Sequence, residues 1–229
     1  MDKNIERRSL NSELSEVRTI DDSRIIEGYG IIFNTESRDL GNGLTEVIKP
    51  EAVDGVFKTS DVFALMNHKM DRGVLARSNK GKGSLELTTD KKGVKYRFKA
   101  PSFDLGNELV EGVKRGDIRS SSFSFIADPK GESIERRSDG SHLRTITKFQ
   151  LIHDMSPCYI GAYEDTTVAL RNLEEFRSMN SEDTMIDSKS GVANTTLEPI
   201  EDGKVVDENA FDKIKIMKEV YRKLRYSKR

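Results

Sequence analysis

A single cysteine, Cys158, in a chain of 229 residues leaves no partner for an intrachain disulfide and no ligand set for a cysteine-based zinc knuckle. An excess of one charge is also missing. With 39 acidic and 38 basic side chains the formal net charge is −1, so no global field draws nucleic acid and no sequence-specific binding to it is expected. The longest apolar runs are a few residues, far short of the ~20 that a membrane-spanning helix needs, and no membrane role is expected. The opening MDKNIERRSL has no apolar stretch that could serve as a signal peptide, which fits a reducing cytosol. Glycine-rich phosphate loops, HExxH, calcium loops and paired CxxC are all absent. Three histidines and one cysteine are thin material for a metal site, so neither metal nor cofactor is expected.

The chain is long enough for one domain with a tail, burying about 70% of the surface it would expose unfolded. Residues 1–23 are polar and charged and are expected to form an N-terminal arm. Patterned sequence begins with IIEGYGIIF, where isoleucines and aromatics separated by glycines favour strand over helix. NTESRDLGNGL is expected to be a surface loop or broad hairpin turn, its glycines supplying turn geometry. A short strand should end near Lys49, followed by a helical turn opening on Pro50, where a missing N–H costs nothing.

Leu85 and Leu87 share one parity and Val94, Tyr96 and Phe98 another, the pattern of two antiparallel strands joined across residues 89–93. Leu105, Leu109 and Val113 fall at four-residue spacing and predict a short amphipathic helix with Lys114 and Arg115 at its C-terminal end. IRSSSFSFIA then alternates, placing Ser120, Ser122 and Ser124 on one side and Phe123 and Phe125 on the other. LRTITKFQLIHDMSP is expected to be a second long strand. Strands outnumber helices and no regular strand–helix alternation appears, so the fold class expected is mainly β with peripheral helices. Residues 172–203, rich in serine and acid and poor in large apolars, have the composition of a flexible linker. Residues 204–229 are expected to form a basic amphipathic helix, with Phe211, Ile214 and Tyr221 near one stripe and RKLRYSKR at its end.

The residues that could carry chemistry are few, and each has a plain structural alternative. His68, in FALMNHKMDRG, could simply end a strand. The serine run could line the solvent face of an edge strand, and its shared parity does not choose among Ser120, Ser122 and Ser124. His153 and Asp154 are neighbours on a strand and face opposite sides, so they do not share a pocket without a bulge. His142 follows the Asp139-Gly140 turn and is expected in an exposed loop. A serine nucleophile needs a base in hydrogen-bonding reach and a group to orient that base, and spacing alone does not assemble the three.

Taken together, GYGIIFNTESRDLG, EVIKPEAV, ALMNHKMDRGVLAR, LVEGVKRGDIRSSSFSF and LIHDMSPCYIGAY resemble, in order and spacing, the prohead maturation proteases of tailed bacteriophages, a family related in fold to herpesvirus assemblin. The resemblance covers residues 24–171 and implies a serine protease domain there, built on a closed or strongly curved antiparallel β barrel. Carried over by position, the family's catalytic histidine falls on His68, its serine on Ser122 and its acid on Asp154. The chain departs from the family in having Ser124 where glycine is common and Gly161 where proline is usual. Assemblin uses a second histidine as third member, which leaves His153 as a rival to Asp154. The function implied is a serine endopeptidase that cuts scaffold, or the scaffolding segment of the major capsid protein, and itself, inside the assembling procapsid in the bacterial cytoplasm. Self-association is compatible with that role. The rival reading is a noncatalytic assembly or scaffold protein that kept the protease fold.

Overall fold

The computed structural model describes residues 5–20, 23–159, 173–174 and 176–177. The N-terminal third contributes strands β1 (Glu6–Leu10), β2 (Arg18–Ile20), β3 (Ile25–Ile32), β4 (Leu44–Ile48) and β5 (Asp61–Ala64), with a short helix α1 (Ser12–Ser15) between the first two. Next come β6 (Ala76–Asn79), β7 (Lys82–Gly83), β8 (Glu86–Thr89), β9 (Gly93–Lys99) and helix α2 (Asp104–Arg115). The serine run forms β10 (Ile118–Ala127), and β11 (Glu132–Arg136), β12 (His142–Ile146) and β13 (Phe149–Tyr159) follow. Proline opens a 3-10 turn at Pro50–Val53, as its missing N–H predicts.

The strands form three sheets, in the orders β1-β10-β13-β5-β6-β7, β11-β12-β4 and β2-β3-β9-β8. Among the described residues none closes on itself, and the fold is mainly β with few helices. The six-stranded sheet keeps two edges, β1 and the very short β7, that never meet. Pairing is mostly antiparallel, but β12 runs parallel to β4 and β13 parallel to β5.

Alternation explains most of the core. Phe123 and Phe125 stack at 5.0 Å on one face of β10 and meet Phe149 edge-on, while Ile26, Ile31, Tyr96 and Phe98 come from the sheet packed against them. Gly30 in β3 permits that approach, and Gly28 leaves room for the ring of its cross-strand partner Tyr96. A Cβ on Gly30 would lie 2.8 Å from Met155 Sδ, and one on Gly28 2.7 Å from Tyr96 Oη. Helix α2 turns Leu105, Leu109 and Val113 inward, as the spacing predicts, and ends on left-handed Gly116.

Four sequence-based expectations are corrected. The described part of the expected arm, residues 5–20, is not separate from the core: β1 pairs antiparallel with the serine strand, and Glu6 and Arg8 are 1% and 4% exposed. Its charges are buried because they are paired, which a hydropathy pattern does not register. The core does not stop at residue 171, since Leu173 is buried against Leu40 and Leu44. LRTITKFQLIHDMSP is two strands in two different sheets, broken at Thr147 and Lys148, whose N–H groups both donate to the Gly131 carbonyl. His142 lies in β12, not in a loop, and is buried with Phe176 edge-on at 5.9 Å; burial pushes its pKa down. The remainder of the expected linker and the C-terminal helix lie outside the described residues.

Candidate active site

Three elements converge on one face of the six-stranded sheet. Register sets two of the groups: in the β10–β13 ladder Ser122 lies opposite Ser156, and Ser124 opposite Asp154, and directly opposed residues share a face. The third comes from the turn after β5. There the backbone passes through two consecutive left-handed residues, Asn67 at φ 50° and His68 at φ 59°, a conformation that costs side-chain-bearing residues of the order of 1 kcal/mol or more each. The turn is tied to β13 on both sides. Asn67 N–H donates to the Pro157 carbonyl at 3.3 Å, and Tyr159 N–H donates to Asn67 Oδ1 at 3.1 Å.

The turn swings the His68 imidazole over the sheet. Its Nε2 lies 2.7 Å from Ser122 Oγ and its Nδ1 2.5 Å from Asp154 Oδ1. An ionised carboxylate only accepts, so Nδ1 carries the proton and Nε2 is free to accept from the hydroxyl. The imidazole is 8% exposed and the Asp154 side chain 1%. Two further hydroxyls complete the carboxylate's shell: Ser124 Oγ donates to Oδ2, and Ser156 Oγ donates to Oδ1 at 2.6 Å while accepting from Leu65 N–H at 3.3 Å. Burial alone would raise the Asp154 pKa. The hydrogen bonds from His68, Ser124 and Ser156 and the attraction of His68 outweigh it, and the carboxyl sits below its ordinary value.

This arrangement brings His68, Ser122 and Asp154 together and leaves the other candidates out. His153 points away from Asp154 and packs edge-on against Phe63 at 5.8 Å. His142 is in another sheet. Cys158 is buried, and burial first, then the Asp154 charge, pushes its thiol up to about 12, so it is no rival nucleophile. Arg115, near the serine in sequence, pairs with Asp117 at 3.1 Å. No group of three or more potential metal ligands occurs among the described residues. A serine whose hydroxyl proton can pass to an imidazole held by a buried carboxylate is equipped for acyl transfer.

A family model described as caudovirus prohead serine protease matches residues 12–181, well over half the chain. The chain belongs to that family. This prohead protease is therefore a serine protease with a role in phage capsid maturation. Among solved structures it is similar to the capsid assembly protease gp21 of bacteriophage T4, with 11% sequence identity, a TM-score of 0.40, and coverage of 66% of this chain and 95% of that one. Among curated proteins none matches. Among its described residues, no helix of the prohead protease is long and apolar enough to cross a membrane.

Sequence reasoning missed the two hydroxyls on Asp154. Ser124 was visible through its parity with Ser122. Nothing in the sequence tied Ser156 to the carboxylate, because both lie on the same strand face two residues apart and face parity does not report a hydrogen bond.

Proposed function

We propose that Ser122 is the nucleophile, His68 the general base and Asp154 the orienting acid of an endopeptidase. The unbroken hydrogen-bonded sequence Ser122–His68–Asp154 is the observation that carries the reading. Ser122 Oγ attacks the carbonyl carbon of a scissile peptide bond while His68 Nε2 takes its proton. Asp154 holds the ring in the tautomer that accepts at Nε2 and offsets the positive charge that forms. As the tetrahedral intermediate collapses, His68 returns the proton to the leaving amine. Water then enters by the same base catalysis, and the acyl group leaves Ser122 as a free carboxylate. The oxyanion requires backbone N–H groups or a cation within about 3 Å of its position.

The substrates in this reading are the scaffold protein or the scaffolding segment of the major capsid protein, together with the protease's own chain, inside the assembling procapsid in the bacterial cytoplasm. Coexpression with the capsid and scaffold proteins of the same phage tests it. Intact-mass analysis should find defined fragments with the unaltered chain and none with Ser122→Ala. The same fragments from Ser122→Ala would refute the assignment.

A further inference from the structure

A nucleophile must come within about 3–3.5 Å of the carbon it attacks, and Ser122 is 0% exposed. His68 lies over it, and the sheet order gives what flanks it on either side. Strand β10 has two neighbours: β13, which carries Asp154 and belongs to the site, and β1, which carries none of the three groups. Strand β1 lies antiparallel along β10 with Ser9 opposite Ser122, and the Arg8 carbonyl accepts a hydrogen bond from Ser122 Oγ at 3.0 Å. The hydroxyl has one proton, so that bond competes with transfer to His68 Nε2. A cavity of about 390 Å³ beside β1 is lined by Arg8, Leu10, Glu46, Arg119 and Ser120 among others, and none of the three site residues reaches it.

Strand β1 is also built to leave. It is an edge strand of five residues, ERRSL, with one large apolar side chain. Beyond the ladder with β10, its side-chain anchors are mainly ionic: Arg8 donates to Glu46 at 3.0 and 2.9 Å, and Arg144 donates to Glu6 at 2.7 and 2.9 Å. Glu6 and Arg8 withdraw as a neutral pair. Arg144 keeps Glu46 at 2.8 Å and also Glu132, so departure of the strand exposes no unpaired buried arginine.

We propose that β1 is a displaceable strap over the nucleophile. The closed arrangement is latent, and an extended polypeptide substrate reaches Ser122 by taking the place of β1 on the free edge of β10, where main-chain hydrogen bonds offer the same ladder. The proposal rests on Ser122 being the nucleophile.

The test is the rate at which a fluorophosphonate labels the full chain, compared with Glu6→Gln/Arg8→Gln, which removes the ionic anchors and leaves the three site residues untouched. Label on Ser122, located by peptide mass spectrometry, should form at least tenfold faster in the double variant. Equal rates, with the label on Ser122 in both, would overturn the strap while leaving the nucleophile in place. Label that persists in Ser122→Ala would instead refute the nucleophile assignment. Hydrogen exchange on the unaltered chain gives an answer even where the double variant fails to fold. Amides of residues 6–10 should exchange at least tenfold faster than those of residues 152–158, and equal protection of the two segments would overturn the proposal.

Discussion

Asp154 keeps its charge in a place that water hardly reaches, because His68, Ser124 and Ser156 all donate to it. Each donor also fixes where the carboxylate points, and therefore where His68 Nε2 points. Ser124→Ala should lower kcat roughly tenfold, a loss of about 1.4 kcal/mol and on the scale of one hydrogen bond to a charged group. The same variant has a signature in stability. A carboxyl whose folded pKa is depressed contributes stability that is present above the unfolded value near 3.9 and is lost as pH falls through the folded value. Removing one donor raises the folded value toward the ordinary one, so acid unfolding of Ser124→Ala should move to higher pH than in the unaltered chain. An unchanged acid midpoint would show that Ser124 does not hold the charge. At this scale the sequence was legible where a motif carried it: His68, Ser122 and Asp154 come from the family resemblance, whereas strand parity alone did not choose between Asp154 and His153, where the β10–β13 register is shifted. His142 was not legible. The Asp139-Gly140 turn beside it suggested exposure, whereas β12 pairs with β4 directly after that turn and buries the ring.

Elements whose stability is local were easiest to foresee. The hairpin of β8 and β9 pairs Thr89 with Val94 across the expected turn, and α2 follows the four-residue spacing of its leucines. Helix α2 packs beside β10, with Leu109 fully buried in the main core. Leu109→Ala should therefore cost about 2–5 kcal/mol, measured as a lower urea midpoint at unchanged m-value. A cost below 1 kcal/mol would mean that the helix is not part of the core. Strand β1 escaped notice for a different physical reason. ERRSL has no apolar alternation, and its inward side chains are charges that become buried only because Glu46 and Arg144, far along the chain, meet them. The break between β12 and β13 was hidden too, since Thr147 and Lys148 carry neither glycine nor proline to mark it.

Across the whole molecule, the three sheets are joined by contacts between residues far apart in sequence, and this is where reading along the chain fails. A parallel pairing such as β12 with β4 joins His142 to Leu44, and no local pattern encodes it. One non-local feature is ionic: Glu6, Arg8, Glu46, Glu132 and Arg144 link strands of the six-stranded and three-stranded sheets, and Arg144 is 0% exposed. Arg144→Ala strands Glu6 and Glu46 against fewer cations and should cost about 3–5 kcal/mol, lowering Tm by on the order of 10 °C at neutral pH. A Tm within about 2 °C of the unaltered chain would show the network to be incidental. The proposed mechanism needs one hydroxyl, one imidazole and one carboxylate in line, and its most direct measurement is kcat/KM on one fluorogenic peptide for four chains. With Ser122→Ala as the zero of activity, Asp154→Asn should fall at least ~100-fold through loss of the charge and the correct tautomer, by analogy with a general serine-protease case in which this kind of change costs about 10⁴. His153→Gln, altered on the opposite face, should stay within about tenfold of the unaltered chain. A near-normal Asp154→Asn beside a severely impaired His153→Gln would contradict the account.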